Sequence, residues 1–213
     1  MKNMKTIIIA LFMIMLMGTA AVAAERQRVK LPDPARAGGR ALLDALSERQ
    51  TSRKFADVDL TAQQMSNLLW AVAGVNRDNG KTTYPTSQGR KDMTLFAVTR
   101  EGIYRYLPES HELEQVSAGD HREKAGKGPM YVSHAAVHLA FVQDISLWSR
   151  TPEEGAGWGF VHAGAMMQNA YLYAASHSWS AVARGYFDQG ATATLLKLPG
   201  TQVVRLMFSI GPK

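Results

Sequence analysis

The order of elements predicts an α+β fold, with helices flanking a mainly antiparallel sheet. Three observations carry it. Two short β-rich runs are joined by a glycine-containing turn, helical periodicities precede and follow the strands instead of alternating with them, and an apolar fraction of 46% in 213 residues suffices for one core. With no cysteine in the chain, disulfides, zinc–thiolate sites, iron–sulfur clusters and a thiol nucleophile are excluded, and stability must come from packing.

The elements follow in order. Lys2 and Lys5 precede the apolar run Ile7 to Met17, and Gly18 to Ala24 supplies small residues with Ala21-x-Ala23 as a cleavage site. This pattern predicts a Sec-type signal peptide over residues 1–24 and one domain over 25–213, periplasmic or secreted, with no membrane span in the mature chain. Removing the peptide takes away two lysines and no acid from a chain of net charge +6, so the mature protein stays basic. No lysine-rich tract or RNP-like aromatic pattern points to nucleic acid. An anionic cofactor or substrate accounts for the charge more simply.

After Leu31-Pro32-Asp33-Pro34, the segment Ala41 to Leu46 reads as a short amphipathic helix that delivers Arg49 at its end. Leu60-Thr61 opens a second helix, with Thr61 as N-cap, Gln64 at the capping-box position and Gly74 as the stop. Asn76 to Lys81 is a polar turn. Met93 to Thr99 and Ile103 to Tyr106 form a hairpin, and Ala135 to Val142 is a strand, apolar except for His138. The longest helix is expected from near Gly159 to Ser176, central or in a subunit interface because it has almost no polar stripe. Gly155 to Gly159 is expected to be a flexible loop. Ser180 to Ala183 is a strand, Thr192 to Leu196 a short helix and Val203 to Ile210 the last strand.

The stretch Arg49-Gln50-Thr51-Ser52-Arg53-Lys54-Phe55 carries the chemistry. Two fork-shaped guanidinium groups and two hydroxyls within one turn can meet a phosphate with bidentate, charge-assisted bonds. Read alone, such a run more often simply faces water. Competing chemistry lacks its signatures. No strand is expected directly before Gly155-Ala156-Gly157-Trp158-Gly159, as a dinucleotide-binding turn requires. His134 and His138 share an expected strand, which would hold them too far apart for one metal ion, and each reads as a structural histidine. No H-E-x-x-H or G-x-S-x-G occurs. Trp70 and Trp179 read as core or interface aromatics.

From about Ala41 to Lys213 the chain resembles the FMN-dependent nitroreductase-like oxidoreductases. Arg49 to Phe55 is similar to their R-x-S-x-R-x-F motif with Thr51 in place of serine, and Leu60 to Arg77 to the helix that follows it. Gln168 to Leu172, Ala183-Arg184-Gly185 and the Gly211-Pro212-Lys213 ending match further motifs in the same order. The resemblance implies an intertwined homodimer that binds FMN and moves hydride or electrons between a small-molecule donor and acceptor in two half-reactions. It places Arg49, Gln50, Thr51, Arg53 and Lys213 at the phosphate and ribityl chain. Pro85, Thr86 and Ser87 would come from the partner subunit to the flavin's edge, and Ala183, Arg184 and Gly185 would offer backbone amides to the ring. No side chain acts as nucleophile, and no metal is implied. Flat, electron-poor acceptors such as nitroaromatics and quinones suit a stacking site; an azoline-type dehydrogenase or oxidase and a non-catalytic flavin-binding protein are the alternatives.

Overall fold

The computed structural model describes residues 26–126 and 133–213. The expected signal peptide, residues 1–24, lies outside the described residues.

In chain order the regular elements are β1 (Arg28–Lys30), α1 (Leu42–Glu48), α2 (Ala62–Ala73), β2 (Met93–Val98), β3 (Gly102–Leu107), β4 (Glu112–Ala118), α3 (Arg122–Gly126), β5 (Val137–Asp144), α4 (Pro152–Ser176), β6 (Ser180–Arg184), α5 (Gln189–Leu195) and β7 (Gln202–Gly211). The seven strands form one sheet in the order β1-β4-β3-β2-β5-β7-β6, and every pairing is antiparallel. The α+β expectation is therefore met.

Both faces of the sheet are covered, and the strands show it with a period of two. On β2, Leu95 and Ala97 face the core under α2 and α4, together with Tyr106, Leu139, Phe141 and Phe208. Phe96 and Val98 face a second core with Ala140, Val142, Met207 and Leu196, beneath α3 and α5. Double burial is why β5 runs apolar from Val137 to Val142 except for His138.

Helix α2 begins at the expected capping box. Thr61 Oγ1 accepts from the Gln64 amide and Gln64 Oε1 accepts from the Thr61 amide, which satisfies two otherwise orphaned donors. The β2–β3 hairpin also forms as expected, with the Thr99 amide donating to Gly102 O at 2.8 Å.

Two expectations need correction. Helix α4 starts at Pro152, not near Gly159, so Gly155 to Gly159 is helix and not a flexible loop. Proline at the first helical position and Glu153 and Glu154 in the first turn are ordinary helix starters. The glycines are there because neighbours press against the helix backbone: a Cβ on Gly155 would overlap Trp148, and one on Gly159 would overlap the Gln143 side chain. His134, in turn, precedes β5 and does not lie within it.

Strands β1 and β4 and helix α3 were not expected from the sequence. The polar residues of β4 find their partners only in the folded chain: Glu114 is 5% exposed and pairs with Arg105 at 2.9 Å, Arg26 at 3.2 Å and Arg28 at 3.7 Å.

Candidate cofactor site

Helix α1 ends at Glu48, and the chain then leaves the helix in extended conformation through Arg49. The following loop is tied along the outer edge of β6. The Ser52 amide donates to Ala181 O at 2.9 Å, the Ser52 and Ser180 hydroxyls lie 2.8 Å apart, Ser180 Oγ also reaches Lys54 O, and the Ala56 amide donates to Pro212 O at 3.0 Å. Backbone pairing of this kind fixes the course of the loop along the sheet edge.

Arg49, Gln50 and Lys213 line one cavity of about 260 Å³, together with Ser47, Glu48, Tyr171 and Trp179. Glu48 is the acid of this lining, and its charge is taken up by an ion pair with Arg40. Among the described residues no carboxylate pairs with Arg49 or Lys213, so the cavity is positively charged. The Arg49 guanidinium stands 5.4 Å from the centre of the Tyr171 ring, a stacking that holds the flat cation without consuming its donors.

Tyr171 escaped the sequence reading and is the hub of this region. Its hydroxyl bonds Thr51 Oγ1 at 3.1 Å and accepts the Ala183 amide at 2.9 Å. It lies on α4 between Ala170 and Leu172, so a tyrosine there reads as core. One signal was available: a phenol facing a threonine-bearing motif needs a polar partner when buried.

The structure thus brings Arg49, Gln50 and Lys213 to one cavity and links Thr51 through Tyr171 to Ala183. Arg53 is exposed on the same loop. Arg184 goes elsewhere. Because Ala181 and Ala183 direct their backbone groups away from β7, the alternation of an antiparallel ladder turns those of Arg184 inward. Its side chain lies on the second face of the sheet, 2% exposed, where Nη2 donates to Ala125 O at 2.6 Å and Nε and Nη1 have no partner. Burial pushes this guanidinium down to about 10. Gly185 lies in the exposed turn after β6.

Pro85 and Thr86 line a different cavity of about 410 Å³ with Arg77, Lys81 and Lys91. Ser87 is anchored inward, its amide donating to His162 Nε2 at 2.9 Å. Within one chain these three residues do not join the Arg49 cavity.

The remaining histidines serve the fold. His138 is fully buried, with Nδ1 on Ser209 Oγ at 2.8 Å and Nε2 unpartnered; burial, with help from Arg184 and Arg122, pushes it down to about 3. His111 bonds Ser66 and Tyr106 at 2.7 and 2.8 Å and so ties α2 to the β3–β4 hairpin. Trp179 lines the cationic cavity and Trp70 a groove beside α1, so neither is sealed in the core. Among the described residues no group of three or more His, Asp and Glu is placed to hold a metal ion, and no helix is long and apolar enough to cross a membrane.

Residues 46–212 match the nitroreductase family. A crystal structure of a putative nitroreductase from Ralstonia eutropha JMP134 is similar at 34% identity with a TM-score of 0.82, covering 90% of this chain and 92% of that one. The putative nitroreductase MJ1384 of Methanocaldococcus jannaschii is 26% identical over 183 residues, 81% of this chain and 91% of its own length. The fold is also that of the NADPH:FMN oxidoreductase of Vibrio harveyi, at 20% identity and a TM-score of 0.58 over 80% of this chain and 68% of the other. With its arginine-bearing loop zipped to the edge of an antiparallel sheet and its length matched nearly end to end, the chain belongs to the nitroreductase family, flavin-dependent oxidoreductases.

Proposed function

We propose that this protein is an FMN-dependent oxidoreductase that works as a homodimer outside the cytoplasmic membrane and passes reducing equivalents to a flat, electron-poor acceptor such as a nitroaromatic or a quinone. One observation carries the reading: the positively charged cavity of Arg49, Gln50 and Lys213, with its loop pinned to β6. Its donor set suits a phosphate, since Arg49 is aligned by Tyr171 and unopposed by a carboxylate.

When bound there, FMN supplies the hydride chemistry. The chain's own residues bind and orient. Arg49, Arg53 and Lys213 hold the phosphate, Gln50 and Thr51 the ribityl chain, and the Gly185 amide meets the ring where negative charge develops. The Tyr171 hydroxyl keeps the Thr51 loop and β6 in fixed register by holding both.

The dimer is supported by what one chain leaves open. The cavity of about 260 Å³ is smaller than the roughly 300–1,000 Å³ of complete small-molecule sites, so a single chain half-encloses its ligand. Leu42, Leu43 and Leu46 on α1 and Phe160 and Val161 on α4 are exposed apolar residues of the kind a subunit interface covers. In the dimer Pro85, Thr86 and Ser87 complete the site of the neighbouring subunit. Export rests on the pattern of residues 1–24.

The test is the absorption spectrum of the purified protein, followed by FMN titration and sedimentation. A flavin spectrum, a dimer, and reoxidation of the reduced protein by quinones or nitroaromatics are expected. A protein that binds no FMN, or a flavin-loaded monomer, would overturn the corresponding part.

A further inference from the structure

Beneath the Pro85–Ser87 loop lies a buried polar cluster that the cofactor site does not use. His162 and Asp92 are each 1% exposed. His162 Nδ1 lies 2.9 Å from Asp92 Oδ1, and Asp92 Oδ2 accepts from Gln143 Nε2 and Trp148 Nε1, both at 2.7 Å. Asp92 therefore accepts three hydrogen bonds, which a carboxylate can do and an amide side chain cannot match. On the other side of the ring, Nε2 accepts the Ser87 amide at 2.9 Å. An imidazole that accepts at Nε2 and donates at Nδ1 is neutral and of one tautomer.

The loop that hangs on this bond is not relaxed. Gln88 sits at φ 54°, a left-handed conformation that a non-glycine residue adopts at a cost. His162 thus holds the Ser87 amide inward.

We propose that His162 is a positioning residue for the Pro85–Ser87 loop: neutral, it aims the loop at the flavin edge of the neighbouring subunit, and uptake of a second proton releases it. The part concerning flavin rests on the reading given under Proposed function. The proton goes to Nε2, whose lone pair is then gone, and the new N–H faces the Ser87 N–H. The Ser87 bond breaks, and the loop turns away from α4.

Charged groups surround the ring on several elements. Asp92, on the loop before β2, meets Nδ1. Arg205 on β7 reaches the cluster through Gln143 Oε1 at 2.7 Å, and Arg90 stands 3.9 Å over the Trp148 ring. Glu154 bonds Trp158, which stacks on His162 with ring centres 5.8 Å apart, and Tyr84 completes the nearby titratable groups.

The test compares the full chain with His162→Gln, which keeps an acceptor and takes up no proton, and His162→Phe, which has neither. Amide hydrogen exchange at Ser87 and FMN affinity are followed from about pH 8 to pH 5, the range in which histidines commonly titrate. The wild type should lose Ser87 protection in acid, and its FMN affinity should fall about three- to tenfold, the scale of one net hydrogen bond. His162→Gln should stay protected and tight throughout, and His162→Phe should be unprotected and weak throughout. The phosphate of FMN titrates equally in all three and cancels. Ser87 protection that ignores pH in the wild type, or an acid loss of the same size in His162→Gln, would overturn the proposal. Exchange that follows the expected pattern in a protein that binds no FMN would keep the latch and remove the flavin reading.

Discussion

The loop after α1 and the loop before β2 are both polar and both irregular, yet they are held in opposite ways. In the first, the backbone is fixed, by hydrogen bonds to Ala181 and Pro212, while the charged side chain of Arg49 is half-buried over Tyr171 and that of Arg53 is exposed. In the second, a backbone amide is held by buried side chains, with Ser87 on His162 and His162 on Asp92, across sequence separations of 75 and 70 residues. The contrast separates two jobs. Binding an anion needs charge that is still available, whereas aiming a loop needs polar groups that are already satisfied and shielded from water.

The sharpest way to break this contrast is Asp92→Ala. It strands three buried donors, on His162, Gln143 and Trp148, and should cost about 3–5 kcal/mol, as when one partner of a buried charged network is removed. Urea unfolding measures it. If the loss is below about 1 kcal/mol, the second region is not held by burial.

Arg49→Ala should do the reverse, leaving the fold intact while FMN affinity drops by one to two decades, about 1.5–3 kcal/mol. Titration by flavin fluorescence reads it, with Arg53→Ala as the companion. Unchanged affinity in both variants would remove the phosphate assignment.

Acid adds a background that must be kept apart from the His162 latch. His138 is held at about 3 in the folded chain by burial, below the ~6.5 of an unfolded histidine. Between these values the unfolded state binds the extra proton, so stability falls as pH falls from about 6.5 toward about 3, by up to about 1.4 kcal/mol per pH unit. His138→Gln should flatten that slope in chemical denaturation, and it should leave Ser87 exchange as pH-dependent as in the wild type.

The smallest effect is expected from Tyr171→Phe. The stacking under Arg49 survives while the hydroxyl shared by Thr51 and Ala183 is lost, about 1 kcal/mol of stability for net hydrogen bonding. A fall in FMN affinity as large as that of Arg49→Ala would move Tyr171 from the scaffold of the first region to its ligand contacts.

What the sequence determined alone is what is encoded within a few residues of itself. Thr61 and Gln64 announce the start of α2 because a capping box is a local exchange of two hydrogen bonds. Thr99 to Gly102 announces a hairpin because the turn brings its own glycine. Arg49 to Phe55 is legible for the same reason, since its charges are neighbours along the chain. Tertiary structure decided the rest. Glycines 155 and 159 argue against a helix until Trp148 and Gln143 are seen pressing on its backbone. Glu112 and Glu114 argue against a strand until three arginines meet Glu114. Neither His162 nor Asp92 carries a local mark, because a buried polar group is stabilised only by partners brought from elsewhere in the chain. Arg184, the middle residue of the expected flavin edge, has its side chain sent to the far face of the sheet by the two-residue period of its strand.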